Sequence, residues 1–250
     1  MPVVSAVAQS LIWKTGVVSE YKFGHNPDVD VVTVPEDIWS GGGTYIWPAA
    51  AAVPSIVSTS LNDANPAGTG MRQVRVVGLN AAFAEIQETI NLNGVTPVVL
   101  SQPFFRVNRM FGVAAGSVGW NVGTITLSIS GSPASIINPT RGQTLQSCYT
   151  VPALPGISKV YITSFSGSIT RQQTVAITLI FYSRAPGANQ CWRVRSIFGM
   201  NSAGSTLFAR GIEKPGVEIA VGTDIRATCT ECTTNDTAVS ADYELNFVPI

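Results

Sequence analysis

The chain has 250 residues, only 12% of them charged, and its 15 basic and 15 acidic side chains leave no formal net charge. A neutral chain has no electrostatic attraction to nucleic acid or to an anionic membrane surface, and no run approaches the ~18 to 20 apolar residues that cross a bilayer as a helix. So little charge leaves a free protein colloidally weak, and suits a subunit whose surface ends in an interface.

Residues 1–10 carry no basic segment and Lys14 interrupts the apolar stretch behind them, so no signal peptide is expected. Cys148, Cys191, Cys229 and Cys232 are accordingly read as reduced thiols in a cytoplasmic folding compartment, where the sequon at Asn235 stays idle. The first 48 residues show neither helical nor strand periodicity, and Pro27, Pro35, Gly41-Gly42-Gly43 and Pro48 punctuate them. The triple glycine reads as a flexible joint. Yet Trp13, Tyr21, Phe23, Trp39, Tyr45 and Trp47 concentrate aromatic surface there, which a solvated tail would not do. Two arrangements fit: an extended N-terminal arm laid on a neighbouring subunit, which is the reading adopted, with these six aromatics as its interface residues, or a strand pair that closes the chain's own sheet.

Beyond residue 48 strands come at regular intervals. Residues 55–60 lead through a turn-rich loop at 62–68 into the clearest signal, residues 72–100. Val74 and Val76 alternate with Gln73 and Arg75 up to a break at Gly78-Leu79-Asn80. Ile86, Ile90 and Leu92 then alternate with Glu85, Gln87, Thr89 and Asn91. Asn93-Gly94 predicts a type I′ hairpin turn that returns residues 95–100 beside 89–92. Glu88 falls on the inward set, which asks for a sheet edge or a partner. Strands follow at 105–113, with Phe105, Val107, Phe111 and Val113 inward, and at 124–129, with Ile125, Leu127 and Ile129 inward, the loop 116–123 between them. Further strands are placed at 149–151, 159–165, 174–182, 192–198, 205–208, 217–221, 225–229 and 243–247. No stretch makes a convincing helix. The pattern predicts an all-β protein: an antiparallel, jelly-roll-like β-sandwich over residues 49–250, preceded by the arm at 1–48.

Chemistry-bearing residues are sparse. The one histidine, His25, has no nucleophile motif near it and reads as a loop or arm residue. Glu85, Glu88, Asp224, Asp242 and Glu244 read as strand, turn or solvent-face carboxylates rather than a glycosidase pair. Cys229-Thr230-Glu231-Cys232 has zinc-ligand spacing but no second close pair, so these are unpaired thiols at a strand end. Asp28-Val29-Asp30 and Asn62-Asp63 read as Asx turns rather than calcium loops. Arg106, Arg109, Arg193 and Arg195 are taken as inter-subunit ion pairs or a solvent face, and exposed Trp or Tyr as possible stacking surfaces for sugar rings. No catalytic residue, cofactor or metal is expected.

Asp28-Val29-Asp30, Pro35-Glu36-Asp37-Ile38-Trp39, Gly42-Gly43-Thr44-Tyr45 and Val57-Ser58-Thr59-Ser60, with the strands of 74–96, resemble a group of tailed-bacteriophage virion structural proteins. Tyr149-Thr150-Val151-Pro152, Tyr161-Ile162-Thr163-Ser164-Phe165-Ser166-Gly167 and Thr223-Asp224-Ile225-Arg226 before 243–248 add to the resemblance, and Ala153-Leu154-Pro155-Gly156 departs from it in one loop. The resemblance implies a non-enzymatic virion component: a head decoration (cement) protein or head fibre that binds the major capsid protein and neighbouring copies. The symmetry it would have is a homotrimer. The other reading is a tail, neck or fibre component with a receptor or carbohydrate-binding role.

Overall fold

The computed structural model describes residues 17–170, 175–187, 189–201, 204–209 and 216–249. All regular structure in them is β: β1 Val18–Val29, β2 Glu36–Asp37, β3 Ser55–Ser58, β4 Met71–Leu79, β5 Glu85–Asn91, β6 Val98–Val99, β7 Arg106–Ala115, β8 Ile125–Ile129 and β9 Ser132–Ile137. Then follow β10 Tyr149–Thr150, β11 Ile157–Ile169, β12 Ala176–Arg184, β13 Arg193–Asn201, β14 Gly204–Ala209, β15 Val217–Ile219, β16 Asp224–Cys232 and β17 Thr237–Pro249. Every described pairing is antiparallel. The all-β, antiparallel expectation therefore holds, but the sheets are small and do not form one continuous jelly-roll sandwich over 49–250.

The chain divides into two compact units. The first comprises the described residues within Met1–Ile38, Gly42–Thr44 and Ser147–Ile250, the second Trp39–Gly41 and Tyr45–Gln146. The expected boundary at residue 48 has no counterpart in this division.

In the first unit, one sheet runs β1-β17-β11-β14 with β15 also on β11, and another runs β10-β16-β12-β13 with β2 also on β16. The residues that alternate inward from both sheets, among them Ile162, Leu179, Phe181, Ala227, Tyr243 and Leu245, share one apolar cluster. Phe181 is its hub: its ring lies 4.9 Å from Phe165, 5.7 Å from Phe198 and 6.3 Å from Tyr243. The alternation Ile177, Leu179, Phe181 read from the sequence is buried as expected. β1 pairs with β17 from Val18↔Phe247 onward. Residues 18–29, assigned to the arm, thus form a strand in the chain's own sheet, the alternative left open above. Residues 1–16, with Trp13, lie outside the described residues.

The triple glycine is not a loose joint at Gly43. Its N–H donates to Glu36 Oε2 (2.9 Å), and its carbonyl accepts from Asp37 N (2.9 Å). Glu36 is buried and also accepts from Asn26 Nδ2 (2.9 Å), the Thr33 hydroxyl and Asp30 N (3.3 Å). Burial alone would raise its carboxyl pKa, but these hydrogen bonds more than reverse that and leave it lowered.

In the second unit a four-stranded sheet, β6-β3-β8-β9, and a three-stranded one, β5-β4-β7, bury their inward residues in a second cluster that includes Ile56, Val74, Val76, Phe104, Ile125 and Leu127. Two local readings are corrected here. Asn93-Gly94 is not a hairpin turn: Asn93 bridges Ala64, Gly94 N–H donates to the Asp63 carbonyl, and β6 pairs with β3 instead of β5. The two-residue turn that matches type I′ is Ser130-Gly131, both at positive φ (51° and 82°), between β8 and β9. β4 and β5 are the hairpin partners, reversing where Asn80 Oδ1 accepts the N–H groups of Ala82 and Ala84.

The second correction is to β7. A register shift places Val77 opposite Arg109 and Gly78 opposite Val107, so Asn108 is an extra residue in the strand. A bulge reverses which parity faces inward. Met110 is therefore buried and Val113 is 40% exposed. Glu88 behaves as its position asked: β5 is a sheet edge, and its Oε1 accepts Ser101 N at 2.8 Å.

Candidate functional site

The site is built by register on the sheet of the first unit. β1 sets Tyr21 opposite Glu244, Phe23 opposite Asp242 and His25 opposite Ser240. β11 sets Ser164, Ser166 and Ser168 opposite the same three residues of β17. Directly opposed residues share a face, and the intervening Ala241, Tyr243, Phe165 and Ile169 are buried on the other side. The outer face thus carries an aromatic–histidine column, an acidic column and a serine column. With spacings of about 3.4 Å per residue along a strand and about 4.8 Å between strands, they cover about 14 by 10 Å. Gly24 allows β1 to sit here: a Cβ would come within 2.3 Å of the Ile38 carbonyl oxygen and 2.5 Å of Ser147 N, so no larger residue permits the approach.

Within the array, Ser166 donates to Asp242 Oδ2 (3.1 Å), Thr163 to Glu244 Oε2 (3.0 Å), and Asn246 Nδ2 to the Thr163 hydroxyl (2.9 Å). His25 Nδ1 and the Ser240 hydroxyl are 2.9 Å apart. The Tyr21 ring is 55% exposed, and its centroid lies 6.3 Å from that of Phe23. Burial raises the Asp242 carboxyl pKa, against the hydrogen bonds from Ser166 and Tyr21. Burial, and then the Asp242 charge, raise that of Tyr21. Among the described residues neither Asp242 nor Glu244 has an ion-pair partner.

Of the six aromatics expected to form an interface, Tyr21 and Phe23 meet on this face. Trp39, Tyr45 and Trp47 instead belong to the second unit. Tyr45 stacks edge-on to Trp39 at 5.1 Å and to Trp47 at 4.9 Å, and its hydroxyl donates to the Ala134 carbonyl (3.0 Å). Trp39 and Tyr45 are buried there and offer little surface to another chain. Arg106, assigned to an ion pair or a solvent face, is buried with its guanidinium over the rings of Phe105 and Trp47.

The remaining candidates fall into place as supports. Asp224, read as a turn or solvent-face residue, is buried and paired with Arg184 at 2.6 Å. None of the four cysteines is in a disulfide. Burial pushes the Cys148 thiol pKa well up, and burial with the neighbouring Cys232 pushes that of Cys229 to about 12. The Asx turn here is made by Asn26, whose Oδ1 accepts the Asp28 N–H (3.0 Å), and not by the side chain of Asp28. Asp28 and Asp30 also gather with Asp236, with carboxylate oxygens within 4.8 Å, a grouping that could hold a cation and that sequence distance concealed.

Asp63 is the residue whose role was missed. It is fully buried, and its carboxylate accepts from the Ser58 hydroxyl (2.7 Å) and from the N–H groups of Met71 (2.9 Å), Val122 (2.9 Å) and Gly123 (2.8 Å). It thereby ties the loops 59–70 and 116–123 together, and its carbonyl holds Gly94. A lone Asp in a polar loop carries no sequence signal for such a hub.

No family model and no curated protein matches the chain. Solved structures aligned with it include "Structure of infectious bursal disease virus Gx strain", 11% identical over 93% of this chain and 72% of that one with a TM-score of 0.23. Another is "The 2.6A structure of Infectious Bursal Virus Derived T=1 Particles", 10% identical over 100% and 85% with a TM-score of 0.14. At such scores the likeness carries no argument about fold or function.

Proposed function

We propose that this protein is a non-enzymatic structural component of a virion, a head decoration or cement subunit that binds the major capsid protein and neighbouring copies of itself as a homotrimer. It would be made in the host bacterial cytoplasm. The observation that carries this reading is the set of loops fastened by Asp63. They present Leu61 (74% exposed), Val95, Val118 and Trp120 to solvent on a backbone fixed by charge-assisted hydrogen bonds. Exposed apolar side chains on a preorganised scaffold suit burial against another protein. A chain with 12% charged residues needs such burial more than most. The sequence resemblance to phage virion proteins supports the same reading.

The second reading, a tail, neck or fibre component that meets a receptor or carbohydrate, is favoured by the exposed Tyr21 beside Phe23. A cryo-electron map of purified particles, with the copy number of this chain relative to the shell protein, separates the two. Copies throughout the head lattice are expected for cement. A small symmetric set at one vertex or on the tail would move the protein to the second class, and absence from particles would remove both.

A further inference from the structure

The outer face of the β1-β17-β11 sheet holds acceptors that nothing in the described chain neutralises. We infer that this face binds a short neutral oligosaccharide, with Tyr21 as its stacking platform and Asp242 and Glu244 as its hydroxyl acceptors. The inference rests on the second reading above and deepens it by naming the ligand class and the residues that take it, while the position in a particle is read separately from the cryo-electron map.

Three observations carry it. Tyr21 is 55% exposed on an edge strand, opposite Glu244 in register and with its ring centroid 6.3 Å from that of Phe23, so a face of the ring stays open beside the acidic column. The C–H groups of a pyranose are the partly positive surface that packs on the negative face of such a ring. Next, Asp242 accepts from the Ser166 hydroxyl (3.1 Å) and Glu244 from that of Thr163 (3.0 Å), and neither has an ion-pair partner among the described residues. An ionised carboxylate has about four lone-pair sites, so both keep acceptor capacity for sugar hydroxyls. Lastly, Ser164, Ser166, Ser168 and Ser240 line the floor with short side chains that donate and accept at little entropic cost. A lone cation would satisfy the carboxylates and leave the serine column and the aromatic ring unused. A polyol uses all three columns.

The test is a glycan array probed with the full chain, followed by calorimetric titration with maltotriose and chitotriose as neutral reference oligosaccharides. Saturable binding is expected, unaffected by chelator and retained at high salt. Tyr21→Ala should weaken it about tenfold or more, as should Asp242→Asn combined with Glu244→Gln. Tyr21→Phe, which keeps the ring and removes its hydroxyl, should lose less, and Trp120→Ala in the second unit should bind as the parent does. Circular dichroism establishes that each variant is folded. Should Tyr21→Ala unfold, Tyr21→Phe and the single Glu244→Gln change carry the comparison, with a drop in affinity expected from each. Failure of the folded chain to bind any glycan on the array would overturn the inference. So would unchanged binding by the Tyr21 and carboxylate variants, or binding that disappears at high salt and so identifies a cationic partner.

Discussion

Two buried carboxylates hold loops in this protein, and each makes a separate prediction. Asp63 satisfies three backbone N–H groups and one hydroxyl. Asp63→Ala strands those donors and should lower stability by about 3 kcal/mol or more, read as a shift of the urea midpoint at constant slope. A shift near zero would mean that water replaces the carboxylate without loss. Glu36 has a folded pKa lowered by its hydrogen bonds. A lowered acid stabilises the fold above the ordinary glutamate value of about 4.3, and that contribution disappears as pH falls through the folded value. Glu36→Gln should therefore be less stable than the parent near neutral pH, and the gap should close on acidification. Parallel pH curves would contradict it. Neither role was legible in the sequence: Asp63 sits in a loop that reads as an Asx turn, and the donors that make it a hub come from residues 58, 71, 122 and 123.

At the scale of the strand, alternation was legible wherever one face of the strand is dry. β8 and β12 were placed within a residue or two, with their buried sets correct, because Ile125-Leu127-Ile129 and Ile177-Leu179-Phe181 leave no other face for the core. Pairing was less legible. Asn93-Gly94 has hairpin chemistry, but its neighbours are taken by Ala64 and Asp63, while the unremarked Ser130-Gly131 makes the two-residue turn. In β7 the extra residue Asn108 shifts the phase, which a count by twos cannot foresee. β1 was hidden for another reason. Its inward set includes Lys22, Gly24 and Asn26, so no apolar alternation marks it, and its outward set is the aromatic one. Of the candidate site, the sequence thus marks only Tyr21 and Phe23 as a group, and the acidic and serine columns join them only through register. A truncation tests β1 as a structural element. Removing residues 1–43 takes out β1 and β2 and should cost on the order of the whole stability, ~5 to 15 kcal/mol. A chain lacking 1–43 that still melts cooperatively in both units would return those residues to the role of a dispensable arm.

For the molecule as a whole, composition and punctuation made the all-β class legible, while the division into two units was not. A count of strands does not say that the first described strand pairs with the last, as Val18 does with Phe247. The second unit is therefore continuous in sequence over 45–146, with only Trp39–Gly41 added before it. It has its own apolar cluster and its own aromatic stack. A fragment of residues 39–146 should fold alone, with dispersed amide resonances and a sigmoidal melt. A fragment that gives only collapsed, broad spectra would make the second unit depend on the first.

The pairing of β1 with β17 also fixes an order of events during synthesis. The ribosome releases residues 18–29 early, but their partner at 237–249 is the last described strand to emerge. At ~5 to 20 residues per second, the edge that bears Tyr21 and Phe23 stays unpaired for roughly ten seconds or more while residues 45–146 complete their own contacts. The nascent chain thus passes through a stage in which its middle is native and its beginning still waits, and a chaperone that shields extended aromatic segments would find its substrate there.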